Sequence, residues 1–126
     1  VPETVTVPLS RRGNHLMVAV RVNGEPATLL LDTGAGLNAF SPQAAKRLRL
    51  SGTKAVTVRG ATDTTATLTR AKTLDIGAVR LENAPAFVVT LPPELQADGV
   101  LGKPFFESFV VTLDYASERM TLAPRD

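Results

Sequence analysis

One aspartate in this 126-residue sequence is placed where a carboxylate could do chemistry. Asp32 directly follows the apolar run Leu29-Leu30-Leu31 and begins the segment Asp-Thr-Gly-Ala-Gly. A charge beside such a run is costly unless hydrogen bonds compensate it. Gly34 and Gly36 can leave backbone N–H groups open towards the carboxylate, and the Thr33 hydroxyl can bond a neighbouring backbone group. The segment could therefore hold an acid rigidly, although Asp-Thr-Gly also fits an ordinary strand-to-turn exit.

The composition leaves carboxylates as the main catalytic candidates. The sequence has no Cys and one His, which excludes thiolate nucleophiles, disulfide frameworks and multi-histidine metal sites. We therefore expect no metal and no other cofactor. With 14 Lys and Arg against 12 Asp and Glu, the net charge of +2 is too small to indicate nucleic-acid binding. His15 lies beside a predicted turn, and no nucleophile elbow accompanies it, so a serine triad is not indicated.

Length and hydropathy predict one soluble globular domain over residues 1–126. A hydrophobic content of 44% is too high for disorder, and no apolar run of about 18 residues predicts membrane insertion by this segment. Val1 stands in place of an initiator Met without a recognisable signal peptide, which indicates an excised or processed piece. Localisation stays open, with a periplasmic or membrane-anchored parent protein as our expectation.

Alternating apolar residues predict that mainly β structure surrounds Asp32. The alternation runs from Val5 to Leu9, resumes from Leu16 to Val22, and is followed by Asn23-Gly24, a dipeptide typical of tight hairpin turns. A strand over 27–31 then leads to Asp32. Ser41-Pro42-Gln43 predicts a helix start, with the helix ending near residue 50. The remaining predictions are strands 54–58, 65–76, 79–91, 110–115 and 119–122, and a second helix over 104–109.

A second Gly-bearing apolar segment, residues 99–102, precedes the second predicted helix. By itself it fits a buried strand with a tight turn equally well. The order of the elements is more informative: apolar strand, Asp-Thr-Gly, short helix, polar hairpin, then an apolar-apolar-Gly segment and a helix. This order resembles the retroviral-type aspartic proteases (retropepsins), most closely the bacterial retropepsin-like aspartyl protease domains. The most specific matches are residues 30–36, 99–102, 111–115 and 119–122.

The resemblance implies a closed acid-protease β-barrel lobe with one or two short helices, and aspartic endopeptidase activity on polypeptides in extended conformation. Asp32 would be the catalytic residue, in an active-site turn with Thr33, Gly34 and Ala35. Two such aspartates share a proton and activate water between them. Because the chain has one Asp-Thr-Gly segment, the resemblance implies a homodimer with the site on its twofold axis, or a second lobe in a longer parent chain.

Three further expectations come from the resemblance. The segment Val100, Leu101 and Gly102 would support the active-site turn from beneath. The hairpin over 58–69 would be the substrate-binding flap, with Gly60, Ala61 and Thr62 at its tip. The dimer interface would include the turn and the terminal strands near Val5 and Leu122.

Two other functions remain open. The domain could be a catalytically inactive retropepsin-like module for dimerisation or peptide binding. It could also be a small-molecule-binding β-barrel, but five Phe, one Tyr and no Trp offer few large side chains to line a roomy pocket.

Ala35 stands where a Ser is common in pepsin-like enzymes, and the missing hydroxyl predicts a working pH closer to neutral than that of pepsin.

Overall fold

The protein is built mainly from β-strands, as the sequence predicts. The computed structural model describes residues 4–52, 54–58 and 64–125. The strands are β1 Val5–Pro8, β2 Ser10–Arg12, β3 His15–Val22, β4 Glu25–Leu31, β5 Ala39–Phe40, β6 Lys54–Val58, β7 Thr64–Ile76, β8 Val79–Val88, β9 Gly99–Leu101, β10 Phe109–Asp114 and β11 Arg119–Pro124. The helices are α1 Pro42–Arg47 and α2 Lys103–Ser108, with a single 3-10 turn at Pro93–Leu95 in the described ranges.

Six of these strands close into a barrel. Their order is β3-β4-β9-β5-β8-β7, and β7 pairs again with β3 through Arg21 opposite Asp75 and Val22 opposite Leu74. β2 and β6 extend the same sheet beyond β3 and β7. Closure pairs the edges that an open sheet would leave exposed. The structure is therefore the closed β-barrel with short helices that the resemblance implies, and the helices number two in the described ranges.

The barrel interior is filled with apolar side chains. Val18, Val22, Leu29 and Ile76 are completely buried in one cluster, and Phe105 of α2 joins them with 1% of its surface exposed. This packing follows from the period-two alternation of the strands, which turns every second side chain inward. A filled interior does not favour the small-molecule barrel, which requires a roomy apolar cavity there.

A smaller sheet in the order β1-β11-β10 lies beside the barrel. Val5 is opposite Leu122, and Phe109 is opposite Pro124. The side chain of Leu122 is 1% exposed and packs in the main core. By contrast, Val110 on β10 is 48% exposed. The dimer interface near Val5 and Leu122 stays a prediction.

Local sequence signals explain most element boundaries. Asn23 and Gly24 have φ values of 53° and 85°, as the predicted hairpin turn requires. Ser41 caps α1, since its Oγ accepts a hydrogen bond from the Ala44 N–H at 3.1 Å. The helix ends at Arg47, before the predicted residue 50.

The early end of α1 has a specific backbone cause. Arg49 has a positive φ of 60°, and the Leu50 N–H turns back to the Ala45 carbonyl at 2.8 Å. The Arg49 N–H similarly bonds the Lys46 carbonyl at 3.3 Å, which completes a Schellman-type C-cap. An arginine here occupies the position that most often holds glycine.

Two other boundaries differ from the prediction. β8 ends at Val88, not at residue 91, because its partner β5 ends at Phe40, whose carbonyl accepts the Val89 N–H at 3.0 Å, and the chain then enters its proline-rich turn. The two-residue strand β5 was not predicted at all. It forms because Ala39 and Phe40 lie between β8 and β9 in the closed barrel, which is a tertiary constraint without a local signal. No helix in the described ranges is long and apolar enough to cross a membrane.

The turn between β10 and β11 provides a pH-dependent test of the fold. The Ser117 N–H donates to Asp114 Oδ1 at 3.1 Å, and hydrogen bonds from Ser117 lower the pKa of the Asp114 carboxyl. A carboxyl whose pKa is lowered by folding stabilises the folded state above its unfolded pKa of about 4, and this contribution disappears as the pH falls.

We therefore expect Asp114→Asn to lower the melting temperature at pH 7, with a difference that shrinks progressively below about pH 4. Thermal unfolding followed by circular dichroism from pH 2 to pH 7 measures this. Glu107→Gln, which removes an exposed carboxylate from α2, is the matched control for net charge. A difference between Asp114→Asn and the parent that stays constant over this pH range would contradict the assignment.

Candidate active site

Asp32 is the first residue after β4, at the point where the chain leaves the barrel. Its backbone N–H donates to the Leu101 carbonyl at 3.0 Å, so the end of β4 is tied to β9. Its side-chain Oδ1 accepts a hydrogen bond from the Gly34 N–H at 3.0 Å, and the Ala35 N–H closes the turn on the Asp32 carbonyl at 3.1 Å. The carboxylate is thus oriented by backbone groups while its residue is exposed in the single chain.

β9 runs parallel to β4 directly beside this turn. Val100 is opposite Leu30 and Leu101 is opposite Leu31, and both β9 side chains are buried. Beyond β9, the Lys103 N–H donates to the Ala35 carbonyl at 2.8 Å. Residues 100–102 therefore lie against the turn that carries Asp32, and their supporting role in the site stays a prediction.

Gly102 is needed for this contact because the two backbones approach so closely. A Cβ atom at residue 102 would overlap the carbonyl oxygen of Leu37 and would lie 2.7 Å from that of Ala35. The Gly102 N–H donates to Asn38 Oδ1 at 2.8 Å, which satisfies a backbone donor inside the contact. At the other end of β9, a Cβ on Gly99 would similarly overlap the Ala39 carbonyl.

An apolar cavity of about 440 Å³ lies beside the turn. It reaches from the turn to the base of the β6–β7 hairpin, to β8 and to α2, and its described lining is Gly36, Leu37, Asn38, Thr57, Pro85, Ala86, Phe87 and Pro104. Its volume is in the range of pockets that bind small ligands or single side chains. A second apolar cluster, of Met17, Leu30 and Val100, packs against Ala35.

The sequence match comes from the segment that builds this site. Residues 18–105 match the family model described as aspartyl protease, which is more than half of the chain. The chain belongs to the aspartyl protease family. The matched segment includes both the Asp32 turn and β9. The sequence has no detectable relative among curated proteins.

Solved structures show that this member of the aspartyl protease family has the retropepsin-like fold. The chain is similar to a retropepsin-like aspartic protease from Rickettsia conorii, with TM-score 0.70, 20% identity, and coverage of 98% of this chain and 92% of that one. It is also similar to the retroviral protease-like domain of Ddi1 from Leishmania major, with TM-score 0.66, 13% identity, and coverage of 90% and 94%. It is similar as well to the EIAV protease in complex with an inhibitor, with TM-score 0.59, 19% identity, and coverage of 78% of this chain and 90% of that one.

The other predicted site residues have different outcomes. Thr33 lies in the exposed turn next to Asp32. Gly60, Ala61 and Thr62 lie outside the described residues, and their substrate-binding role stays a prediction. Among the described residues, no group of three or more His, Cys, Asp and Glu side chains could hold a metal ion.

Sequence reasoning missed Asn38. Besides the bond to Gly102, its backbone carbonyl accepts the Phe87 N–H at 2.9 Å, so it joins the turn to both β8 and β9. An Asn close to two glycines looks like an ordinary turn residue, and only its distance from Gly102 in the folded chain shows its role. The overlap that a Cβ at residue 102 would cause was equally invisible in the sequence.

Asp98 has a structural role next to the site. Its Oδ2 accepts the Thr28 N–H at 2.9 Å, and its own N–H donates to the Thr28 carbonyl at 2.9 Å. The Arg47 guanidinium contacts its Oδ1 at 2.9 Å. Asp98 therefore fixes the register of β4 and β9 at the end of their pairing farther from Asp32, and it anchors α1 to them.

The Gly102 contact leads to a mutational test with an internal control. We expect Gly102→Ala to destabilise the protein by about 2 kcal/mol or more, because a backbone carbonyl must move to admit the methyl group. Gly36→Ala should change stability by less than about 1 kcal/mol, since a Cβ there meets open space. Urea unfolding of both variants measures the difference, and equal stabilities for the two would contradict the close approach.

Proposed function

We propose that this protein is an aspartic endopeptidase in which two Asp32 carboxylates, one from each chain of a homodimer, activate a water molecule. The observation that carries the proposal is the exposed Asp32 carboxylate, held by the Gly34 N–H at the end of a buried strand. Membership of the aspartyl protease family supports this reaction class.

The proposed chemistry needs two carboxyl groups in different protonation states. Two like charges in close contact cannot both ionise, so the pair holds one proton. The ionised Asp32 takes a proton from water, whose oxygen attacks the peptide carbonyl carbon, while the protonated Asp32 gives its proton to the carbonyl oxygen. Collapse of the resulting diol breaks the C–N bond, and a proton passes to the departing amine. No covalent bond to the enzyme forms.

The number of active-site turns supports a homodimer. The sequence contains one Asp-Thr-Gly segment, so a single chain supplies half of the pair. In the described residues β10 pairs with β11 alone, and Val110 on β10 is exposed. This free edge could pair with the same strand of a second copy. A second lobe in a longer parent chain would supply the same missing turn.

The proposed substrate is an extended polypeptide with apolar side chains near the scissile bond. The apolar cavity between Leu37, Thr57 and Phe87 supports this, because it opens beside the turn and could take one such side chain. The β6–β7 hairpin would close over the bound chain and add backbone hydrogen bonds to it, with its tip at residues 60–62.

Replacing the proposed catalytic group gives the principal test. We expect Asp32→Asn to reduce cleavage of an unfolded protein substrate at least about a hundredfold, because an amide cannot act as the general base. Cleavage is measured by gel and mass spectrometry, with and without pepstatin, and Glu107→Gln is the control. Undiminished cleavage by Asp32→Asn would refute the aspartic mechanism.

The same preparation distinguishes the assembly and the alternative function. Sedimentation velocity should show a dimer in active samples, and a strict monomer that cleaves would refute the shared-axis site. If neither the parent nor the variant cleaves while both bind peptides, the protein is an inactive peptide-binding module instead.

A separate test concerns pH. A hydroxyl at residue 35 could donate to the ionised pair and favour its charged form, so we expect Ala35→Ser to shift the acid limb of the pH–rate profile to lower pH. For the parent protein we expect an optimum nearer neutrality than that of pepsin. Profiles of kcat/KM from pH 2 to pH 8 measure both. A parent optimum below about pH 3 would contradict the expectation.

A further inference from the structure

A cleft of about 300 Å³ with three positive charges lies over one face of β7. Its described lining is Asn23, Arg49, Ser51, Leu68, Arg70 and Lys72, which we call the basic cleft. None of these lining residues is acidic. Arg49, Arg70 and Lys72 are all exposed to solvent, so their charges are accessible to a ligand.

Two structural features bring these cations together. Residues 68, 70 and 72 point to the same side of β7 because side chains alternate along a strand. The C-cap of α1 places Arg49 opposite them, and side-chain hydrogen bonds of Asn23 stabilise this arrangement. The Asn23 side chain donates to the Leu48 carbonyl at 2.9 Å and accepts the Thr73 N–H at 3.3 Å.

The two arginines of the cleft are oriented without being neutralised. Arg49 Nη2 donates to the Asn23 carbonyl at 2.6 Å, and Arg70 Nη1 donates to the Asn83 carbonyl at 2.9 Å. Carbonyl oxygens carry no net charge, so both guanidinium groups keep their full positive charge and further N–H donors. Lys72 adds a third positive charge to the same cleft.

Three other arginines of the described chain contact carboxylates: Arg11 with Glu118 at 3.1 Å, Arg47 with Asp98 at 2.9 Å and Arg80 with Asp75 at 2.7 Å. Arg12, Arg21 and Arg125 donate to backbone carbonyls, as the two arginines of the cleft do. No described carboxylate forms such an ion pair with Arg49, Arg70 or Lys72. Positive charge is therefore concentrated in the cleft, whereas elsewhere on the described surface carboxylates balance part of it.

We propose that the basic cleft binds an acidic segment of a polypeptide. Guanidinium groups match carboxylates in geometry and can donate two parallel hydrogen bonds to each. Leu68 supplies apolar surface for the methylene groups of Glu side chains. A nucleic acid fits less well, because the cleft is a short pocket and the chain carries a net charge of +2.

The basic cleft is separate from the proposed active site. Asn23 lies in the turn before β4, and Asp32 follows the other end of that strand. Seven residues of extended chain, Glu25–Leu31, span about 20 Å. A ligand side chain held at Arg49 is therefore not in contact with Asp32, and the binding can be measured without cleavage.

The test uses the full chain carrying Asp32→Asn, so that its outcome does not depend on the proposed protease activity. Fluorescence anisotropy measures binding of labelled hexaglutamate and, as a neutral control, labelled hexaglutamine at low ionic strength. We expect hexaglutamate to bind at least about tenfold more tightly, and its affinity to fall as salt is raised to 0.15 M.

The variant pair R70Q/K72Q removes two exposed cations of the cleft, and R119Q/R125Q removes two exposed cations elsewhere. We expect the first pair to weaken hexaglutamate binding about tenfold and the second to change it less than about twofold. Melting temperatures of both variants establish that they are folded. R70K, which keeps the positive charge but not the planar set of guanidinium N–H donors, should lose less affinity than R70Q.

Three outcomes would overturn the proposal. The first is no hexaglutamate binding at millimolar concentration in low salt. The second is an equal loss in R70Q/K72Q and R119Q/R125Q, which would indicate attraction by net charge alone. The third is tighter binding of a labelled oligothymidine, lost in R70Q/K72Q, which would make the cleft a nucleic-acid site instead.

Discussion

The structure depends on one close approach of two backbones. β9 lies so near the turn after β4 that the Leu101 carbonyl bonds the Asp32 N–H directly. Gly102 makes this possible, because any side chain at that position would overlap the carbonyl of Leu37. The same insertion places β9 between β4 and β5 and so completes the barrel. Fold closure and the orientation of Asp32 are therefore consequences of a single contact.

The turn that carries Asp32 is held by hydrogen bonds, although its carboxylate is exposed. The Gly34 N–H fixes the Asp32 side chain, and the bond from the Asp32 N–H to the carbonyl of the buried Leu101 holds its backbone. The carboxylate is nevertheless exposed in the isolated chain, so packing in the core does not account for its fixed position. A surface that is ordered but open is what a symmetric partner would complete. The edge of β10 that has no partner strand among the described residues is a second element of the same kind.

Charge is distributed unevenly around this frame. Ion pairs such as Arg47 with Asp98 join neighbouring elements, and the Asp98 pair also helps to set the register of β4. The basic cleft instead collects cations from the end of α1 and from β7, which are remote in sequence. Its position at the opposite end of β4 from Asp32 gives the barrel two chemically distinct surfaces, one carboxylate-bearing and one cationic.

Much of the fold is determined by local sequence signals. Alternation predicted most strands, Asn23-Gly24 predicted its turn, and Ser41 predicted the start of α1, because these signals act between near neighbours in the chain. The order of motifs also pointed to the protease family. Only the tertiary structure decided the place of β5, the role of Asn38 and the grouping of Arg49 with β7, since each depends on contacts between residues far apart in sequence, which no local pattern encodes.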